Sequence, residues 1–197
     1  MPRPARTNTA EEILEVASRL VQTRGFNGFS YADVAVEIGT TPAALHYHFA
    51  TKADLGLALV QRYVSGFRGA LDEIRTSLPD GRTRLDAYRD LYLDVLARRR
   101  LCLCGMLAAE IATLTEPMRA GIVGFFDDNV AWLEQTIADG NADGSIRAKR
   151  GPRETAEAIV GGFEGAMLLA WSHDDPARFR RAADHLLALL TGDPGGK

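Results

Sequence analysis

Between Thr40 and Leu55 the chain reads Thr-Thr-Pro-Ala-Ala-Leu-His-Tyr-His-Phe-Ala-Thr-Lys-Ala-Asp-Leu, and no other run limits the fold as tightly. Thr41 is a ready N-cap. Pro42 suits the first helical position, where its missing N–H costs nothing and its fixed φ is already helical. Farther on, Thr51 with Asp54 three residues later has the capping signature of another helix start. The helix between is only about two turns long, with Leu45 and Phe49 four apart on one apolar face. That face has to dock, which leaves Thr41, Ala43, Ala44, His46, Tyr47 and His48 outward or along the flank.

The preceding residues supply a scaffold. Thr9-Ala-Glu-Glu is a capping box; Ile13, Leu14, Ala17, Leu20 and Val21 then follow at helical spacing, and Gly25 ends the helix in a left-handed conformation. Ser30 with Asp33 opens a shorter helix carrying Val34, Ala35 and Ile38, and Gly39 closes it with the turn before Thr40. Helix, glycine-containing turn and helix is the motif that lays its second helix in the major groove of DNA.

On these residues the segment from about position 10 to 60 resembles the DNA-binding domain of the TetR/AcrR family of one-component transcriptional regulators. The resemblance is carried by Arg24-Gly25-Phe26 followed by Gly28-Phe29-Ser30, by Asp33-Val34-Ala35 with Ile38-Gly39, and by Thr41 through Lys52 with Leu55. It implies an all-α chain with a helix-turn-helix DNA-binding domain over 1–52 and a larger helical effector-binding and dimerisation domain over 53–197. It also implies a reading helix from Pro42 to Phe49 and a phosphate clamp at Lys52. The DNA-contacting set is then Thr40, Thr41, Pro42, Ala43, Ala44, His46, Tyr47, His48 and Lys52. His46 stands where the family commonly has Tyr, and Ala50 where it has Pro or Gly, so the operator sequence does not carry over.

Charge does not advertise a nucleic-acid binder: the net charge is −3 and the pI about 5.8. Up to Lys52, Arg3, Arg6, Arg19, Arg24 and Lys52 balance Glu11, Glu12, Glu15, Asp33 and Glu37, so the reading head is neutral. DNA affinity is therefore expected to rest on two heads in a dimer, on backbone N–H groups at helix N-termini, and on an Arg3/Arg6 arm. With 197 residues, 46% hydrophobic and 25% charged, the chain can fill one or two packed domains. No apolar run approaches the ~20 residues of a membrane span, since Glu157 and Glu164 interrupt the most apolar late segment, Thr155 to Ser172. The polar start, Met1-Pro-Arg-Pro-Ala-Arg, is not a signal peptide, and a cytoplasmic location is expected.

Beyond Lys52 the pattern predicts helices throughout: from Thr51 to about Leu78, Thr83 to Arg98, Leu101 to Leu114, Glu116 to Ala138, Pro152 to His173 and Pro176 to Leu190, with a turn at Asn141-Ala142-Asp143-Gly144. The last two helices have apolar faces wider than one packing contact requires. By the resemblance they pair with a second copy in a four-helix bundle, through Phe163, Met167, Trp171, Phe179, Leu186, Leu187 and Leu190; the alternative is that these residues are intramolecular core. A homodimer is preferred because a palindromic operator needs two reading helices about 34 Å apart. The middle helices are expected, again by resemblance, to form a small-molecule effector pocket, with Tyr88, Tyr92, Met106, Glu110, Phe125, Phe126, Asn129, Trp132 and Met167 as candidate lining. Glu110, on an otherwise apolar segment, fits a cationic ligand, a hydrogen-bonding one or a satisfied carboxylate.

Three other readings are open to these residues. Cys102 and Cys104 follow Arg98-Arg99-Arg100, which can favour a thiolate and make a redox or electrophile sensor; the plainer reading is two packing residues. Two apart, they do not converge on a metal, and neither metal nor cofactor is expected. No catalytic constellation rises above chance: His46/His48 and His173-Asp174-Asp175 match no enzymatic motif. A helical adaptor that does not bind DNA lacks any positive feature. The expected function is a dimeric transcriptional regulator, a repressor, that binds a double-stranded operator and is released by a small molecule.

Overall fold

The structure, a computed structural model, describes residues 9–192; the Arg3/Arg6 arm lies outside them. Among the described residues there are nine α-helices and no strand: α1 Thr9–Arg24, α2 Tyr31–Ile38, α3 Pro42–His48, α4 Lys52–Ser77, α5 Gly81–Ala97, α6 Leu103–Ala109, α7 Glu116–Asp143, α8 Pro152–Ser172 and α9 Pro176–Thr191, with a 3₁₀ turn at Ile111–Thr113. None of these helices is long and apolar enough to cross a membrane.

Two compact units emerge. The first runs up to Val64 and takes in Leu103–Ile122; the second comprises Ser65–Cys102 and the chain from Val123 onward. The first unit thus reaches past residue 52, the limit set by the motif alone. Its core is the helical stripe of α1, Ile13, Ala17, Leu20 and Val21, closed by Val34 of α2, Leu45 of α3, Leu55 of α4 and Leu107 of α6, all essentially inaccessible. At ~25 cal/mol per Å² of apolar area, burying such side chains is what holds so short a helix as α3 in place.

Two expected elements differ. The helix expected over Leu101–Leu114 is broken: Arg99 (φ 54°) ends the preceding helix in the left-handed region, Leu101 and Cys102 are buried without helical structure, and α6 stops at Ala109 before the 3₁₀ turn. The turn expected at 141–144 begins later, because α7 continues through Asn141 to Asp143 and only Gly144 (φ 82°) turns the chain. Ile146 donates its N–H to the Gly140 carbonyl (2.9 Å) and packs where a Cβ on Gly140 would stand, 2.6 Å from its Cδ1. Tertiary packing therefore outweighs the turn-forming Asn and Asp.

Candidate nucleic-acid interface and ligand core

The reading element is built by a succession of caps. Ser30 and Asp33 form a reciprocal capping box at the start of α2, and those hydrogen bonds from Ser30 hold the Asp33 carboxyl below its usual range. Gly39 (φ 67°) closes α2, a conformation that favours glycine, and the Thr40 N–H bonds back to the Ala35 carbonyl at 2.9 Å. Thr41 Oγ1 then accepts from the Ala44 N–H (3.3 Å), with Pro42 at the first helical position. At the far end, the Phe49 N–H reaches the Leu45 carbonyl (2.8 Å), and the Tyr31 hydroxyl lies 2.9 Å from the Phe49 carbonyl and 2.7 Å from that of Thr51. Burial, and then the Asp54 charge, push the Tyr31 hydroxyl up to about 12, so it remains a donor throughout the neutral range. A Thr51–Asp54 capping box starts α4 immediately afterwards.

With Leu45 fully buried, α3 turns its other residues outward. Thr41, Pro42, Ala43, His46, Tyr47 and His48 are exposed, Thr40 and Ala44 half-buried, and Tyr47 is 87% accessible. His46 packs its ring on Tyr31 (4.6 Å between centroids) and places Nδ1 3.0 Å from the Ala50 carbonyl. A carbonyl only accepts, so neutral His46 carries its proton on Nδ1 and leaves Nε2 as an acceptor. Val36 of α2 is 80% exposed and had no place in the sequence reading; it falls off the Val34–Ala35–Ile38 face, which was the available signal.

Three residues assigned from sequence lie elsewhere. Lys52 is not a free phosphate clamp: its Nζ donates to the Phe29 carbonyl and stands over the rings of Phe26 and Phe29, 4.8 and 4.4 Å from their centroids. Burial draws its pKa down, and Glu110 and Asp33 act against that. Glu110 does not line the effector core. Its carboxylate accepts from the Phe26 N–H (2.7 Å) and the Asn27 N–H within the first unit, where a Cβ on Gly25 would stand 2.7 Å from Oε1. Of the alternatives for Glu110, the satisfied carboxylate is the one observed. Met106 also belongs to the first unit. Lys52→Met should therefore lower the stability of the protein by about 1–3 kcal/mol, by removing a charge-assisted hydrogen bond and a cation–π contact. Denaturant unfolding measures that loss, while the salt slope of DNA binding should stay unchanged; a slope reduced by about 0.9 would return Lys52 to the phosphates.

The second unit gathers most of the other candidates. Tyr88 lies between Trp132 (5.7 Å, 20°) and Phe163 (5.8 Å, 27°), and Tyr92 stacks on Phe179 (5.8 Å, 8°). Phe125 meets Phe67 at 5.1 Å and Phe126 at 5.2 Å. Met167 Sδ receives the Cys102 N–H at 3.2 Å. The Tyr88 hydroxyl donates to Asn129 Oδ1 (3.0 Å) and stands 3.2 Å from that of Tyr92. Glu164, noted in sequence only as an interruption of an apolar segment, is the missed member: its carboxyl lies against Tyr92 and Cys102, and burial raises its pKa.

This core also corrects the dimer set. Phe163, Met167, Phe179 and Leu187 are buried within their own protomer and cannot form a face for a second copy. Trp171 is partly exposed, and Leu186 and Leu190 half-buried, with Leu186 seated over Gly162. The outward apolar stripe is instead Gly161, Gly165, Leu168 and Leu169 of α8 with Leu189 of α9; space is open beyond both glycines, and Leu168 and Leu189 are 57% and 62% exposed. Both thiols are buried, and Cys102 lies against a carboxyl that opposes a thiolate, the reverse of the electropositive, accessible setting of reactive cysteines. Among the described residues no three His, Cys, Asp or Glu side chains converge on a metal position.

A capped two-turn helix presented by a small helical head, with a separate helical unit enclosing an aromatic core, defines a helix-turn-helix transcription regulator. Residues 13–59 match the family of bacterial regulatory proteins, tetR family, and residues 81–186 the tetracyclin repressor-like C-terminal domain. The chain belongs to the TetR family of transcriptional regulators. It is similar to the transcriptional regulator AcuR of Cereibacter sphaeroides, 29% identical over 154 residues that cover 75% of this chain and 69% of that protein. It is also similar to the HTH-type transcriptional repressor DhaR of a Mycobacterium species, 24% identical with 83% of each covered. A TetR-family regulator from Agrobacterium tumefaciens superposes with a TM-score of 0.89 at 31% identity, over 92% of this chain and 97% of the other.

Proposed function

We propose that this protein is a dimeric repressor that holds a palindromic operator through the α3 helices of two protomers and releases it when a small molecule binds the second unit. The observation that carries this reading is α3 itself, fixed at both ends by caps and by Tyr31, with Tyr47, His46 and Ala43 turned outward. Repression as the sign follows the repressor name of DhaR. In the operator complex Tyr47 and Thr41 contact phosphates, while His46, Ala43 and Ala44 face base edges or thymine methyls. The α8–α9 stripe joins the two protomers, so that two reading helices meet successive major grooves about 34 Å apart. An effector that binds better to a conformer with different head spacing shifts the population off DNA by its differential affinity.

Selection from random duplexes by the purified protein tests this reading. Enrichment of a palindrome with half-sites about one helical turn apart is the expected result. Recovery of no preferred sequence would favour the adaptor reading instead.

A further inference from the structure

The turn between α1 and α2 is gripped from two directions within the first unit. Glu110 Oε2 accepts the Phe26 N–H at 2.7 Å and the Asn27 N–H at 3.3 Å, and Asn27 Nδ2 donates to Thr113 Oγ1 at 2.9 Å, so the 3₁₀ turn after α6 holds both backbone and side chain. Gly25, at φ 81°, lets the carboxylate come this near, since a Cβ there would stand 2.7 Å from Oε1. From the other direction, Lys52 Nζ donates to the Phe29 carbonyl and stands over the rings of Phe26 and Phe29. The Phe26 ring is itself confined, because a Cβ on Gly56 would stand 2.8 Å from its Cε2 and 2.6 Å from Cε of the fully buried Met118.

What fixes this turn also fixes α3. Lys52 opens α4 four residues after His48 ends α3. Tyr31 opens α2 two residues after Phe29, and its hydroxyl lies 2.9 Å from the Phe49 carbonyl and 2.7 Å from that of Thr51. The approach to α2 and the exit from α3 are thus tied twice, through Lys52 and through Tyr31, and Glu110 holds the segment that leads into both ties. Reading bases demands such accuracy. A hydrogen bond to a base edge weakens steeply outside about 2.7–3.2 Å, whereas the attraction of a cation for phosphate declines gradually with distance.

We propose that Glu110 is a positioning residue for operator recognition, keeping α3 at the attitude in which its outward side chains meet base edges, a role that rests on reading α3 as the DNA-contacting helix. Glu110 acts through the turn rather than on the duplex, because its carboxylate is occupied by the Phe26 and Asn27 N–H groups. Its loss therefore falls on the preference for operator over other DNA and leaves the general attraction to phosphates in place.

Full-length wild type, Glu110→Ala and Glu110→Gln, titrated against the palindrome that wild type selects and against random duplex, separate this role from a merely structural one. Alanine leaves both N–H groups without their acceptor, whereas glutamine keeps one carbonyl oxygen for them. Glu110→Ala should lower the ratio of palindrome to random affinity by about tenfold or more, with random-duplex binding essentially unchanged, and Glu110→Gln should restore the ratio. A variant that had only lost folded protein would lose both affinities by one factor. An unmoved ratio in Glu110→Ala, or a Glu110→Gln that fails as alanine does, would overturn the proposal. Amide exchange on wild type adds a measure independent of any variant's folding: the Phe26 and Asn27 amides should exchange as slowly as those inside α2, and exchange at the rate of an open turn would overturn the proposal even if Glu110→Ala does not fold. If wild type selects no palindrome, the operator reading falls and this role with it; a palindrome that Glu110→Ala distinguishes as well as wild type does removes the role of Glu110 alone.

Discussion

Leu168→Glu should leave the protomer folded and weaken operator binding by about 100-fold or more. Leu168 is 57% exposed on the outer face of α8, so a charge there meets water in the single chain; surface changes of this kind are worth within about 0.5 kcal/mol of stability. In a dimer built on Gly161, Gly165 and Leu168 the same charge is desolvated against its symmetry mate, which costs several kcal/mol. Loss of the second head matters because the first is electrically neutral up to Lys52. Lone heads fall towards non-specific affinity, about 10⁻⁴ to 10⁻⁶ M, where specific complexes reach about 10⁻⁸ to 10⁻¹¹ M. Sedimentation velocity and operator titration read both consequences. A variant that remains dimeric and tightly bound would put the dimer face elsewhere.

Tyr47→Ala carries the second large effect, on DNA affinity alone. The side chain is 87% exposed, and its ring meets that of His48 edge-on at 5.4 Å, so thermal unfolding should be unmoved. A hydrogen bond to a charged phosphate is worth about 1.5–3 kcal/mol, which predicts an operator affinity lower by about 10- to 100-fold for each head. Undiminished affinity in a folded dimer would mean that α3 is not the reading helix.

Features that depend on neighbours in sequence were legible in the chain. The Ser30–Asp33 and Thr51–Asp54 boxes, the Thr41–Pro42 start and the Gly39 stop each involve residues within four positions of one another, and each is found. Lys52 and Glu110 were not, because their partners lie 23 and 84 residues away and a charged side chain does not announce a backbone carbonyl or N–H as its target. Periodicity located the apolar residues of α8 but not their allegiance. The helix has two such faces, and only packing distinguishes Phe163 and Met167, turned into the protomer, from Gly165 and Leu168, turned away from it. Glu164 escaped for the related reason that an acid within an apolar helix reads as solvated until the tyrosines around it are placed.

On the proposed function, two copies of α3 read one palindrome. Titration of the selected duplex, its half-site and a scrambled duplex at several salt concentrations tests it most directly. Two protomers per palindrome, with an affinity about 10³-fold or more above the scrambled duplex, are predicted. Equal affinity for palindrome and scrambled DNA, or one protomer sufficing on the half-site with full affinity, would contradict it.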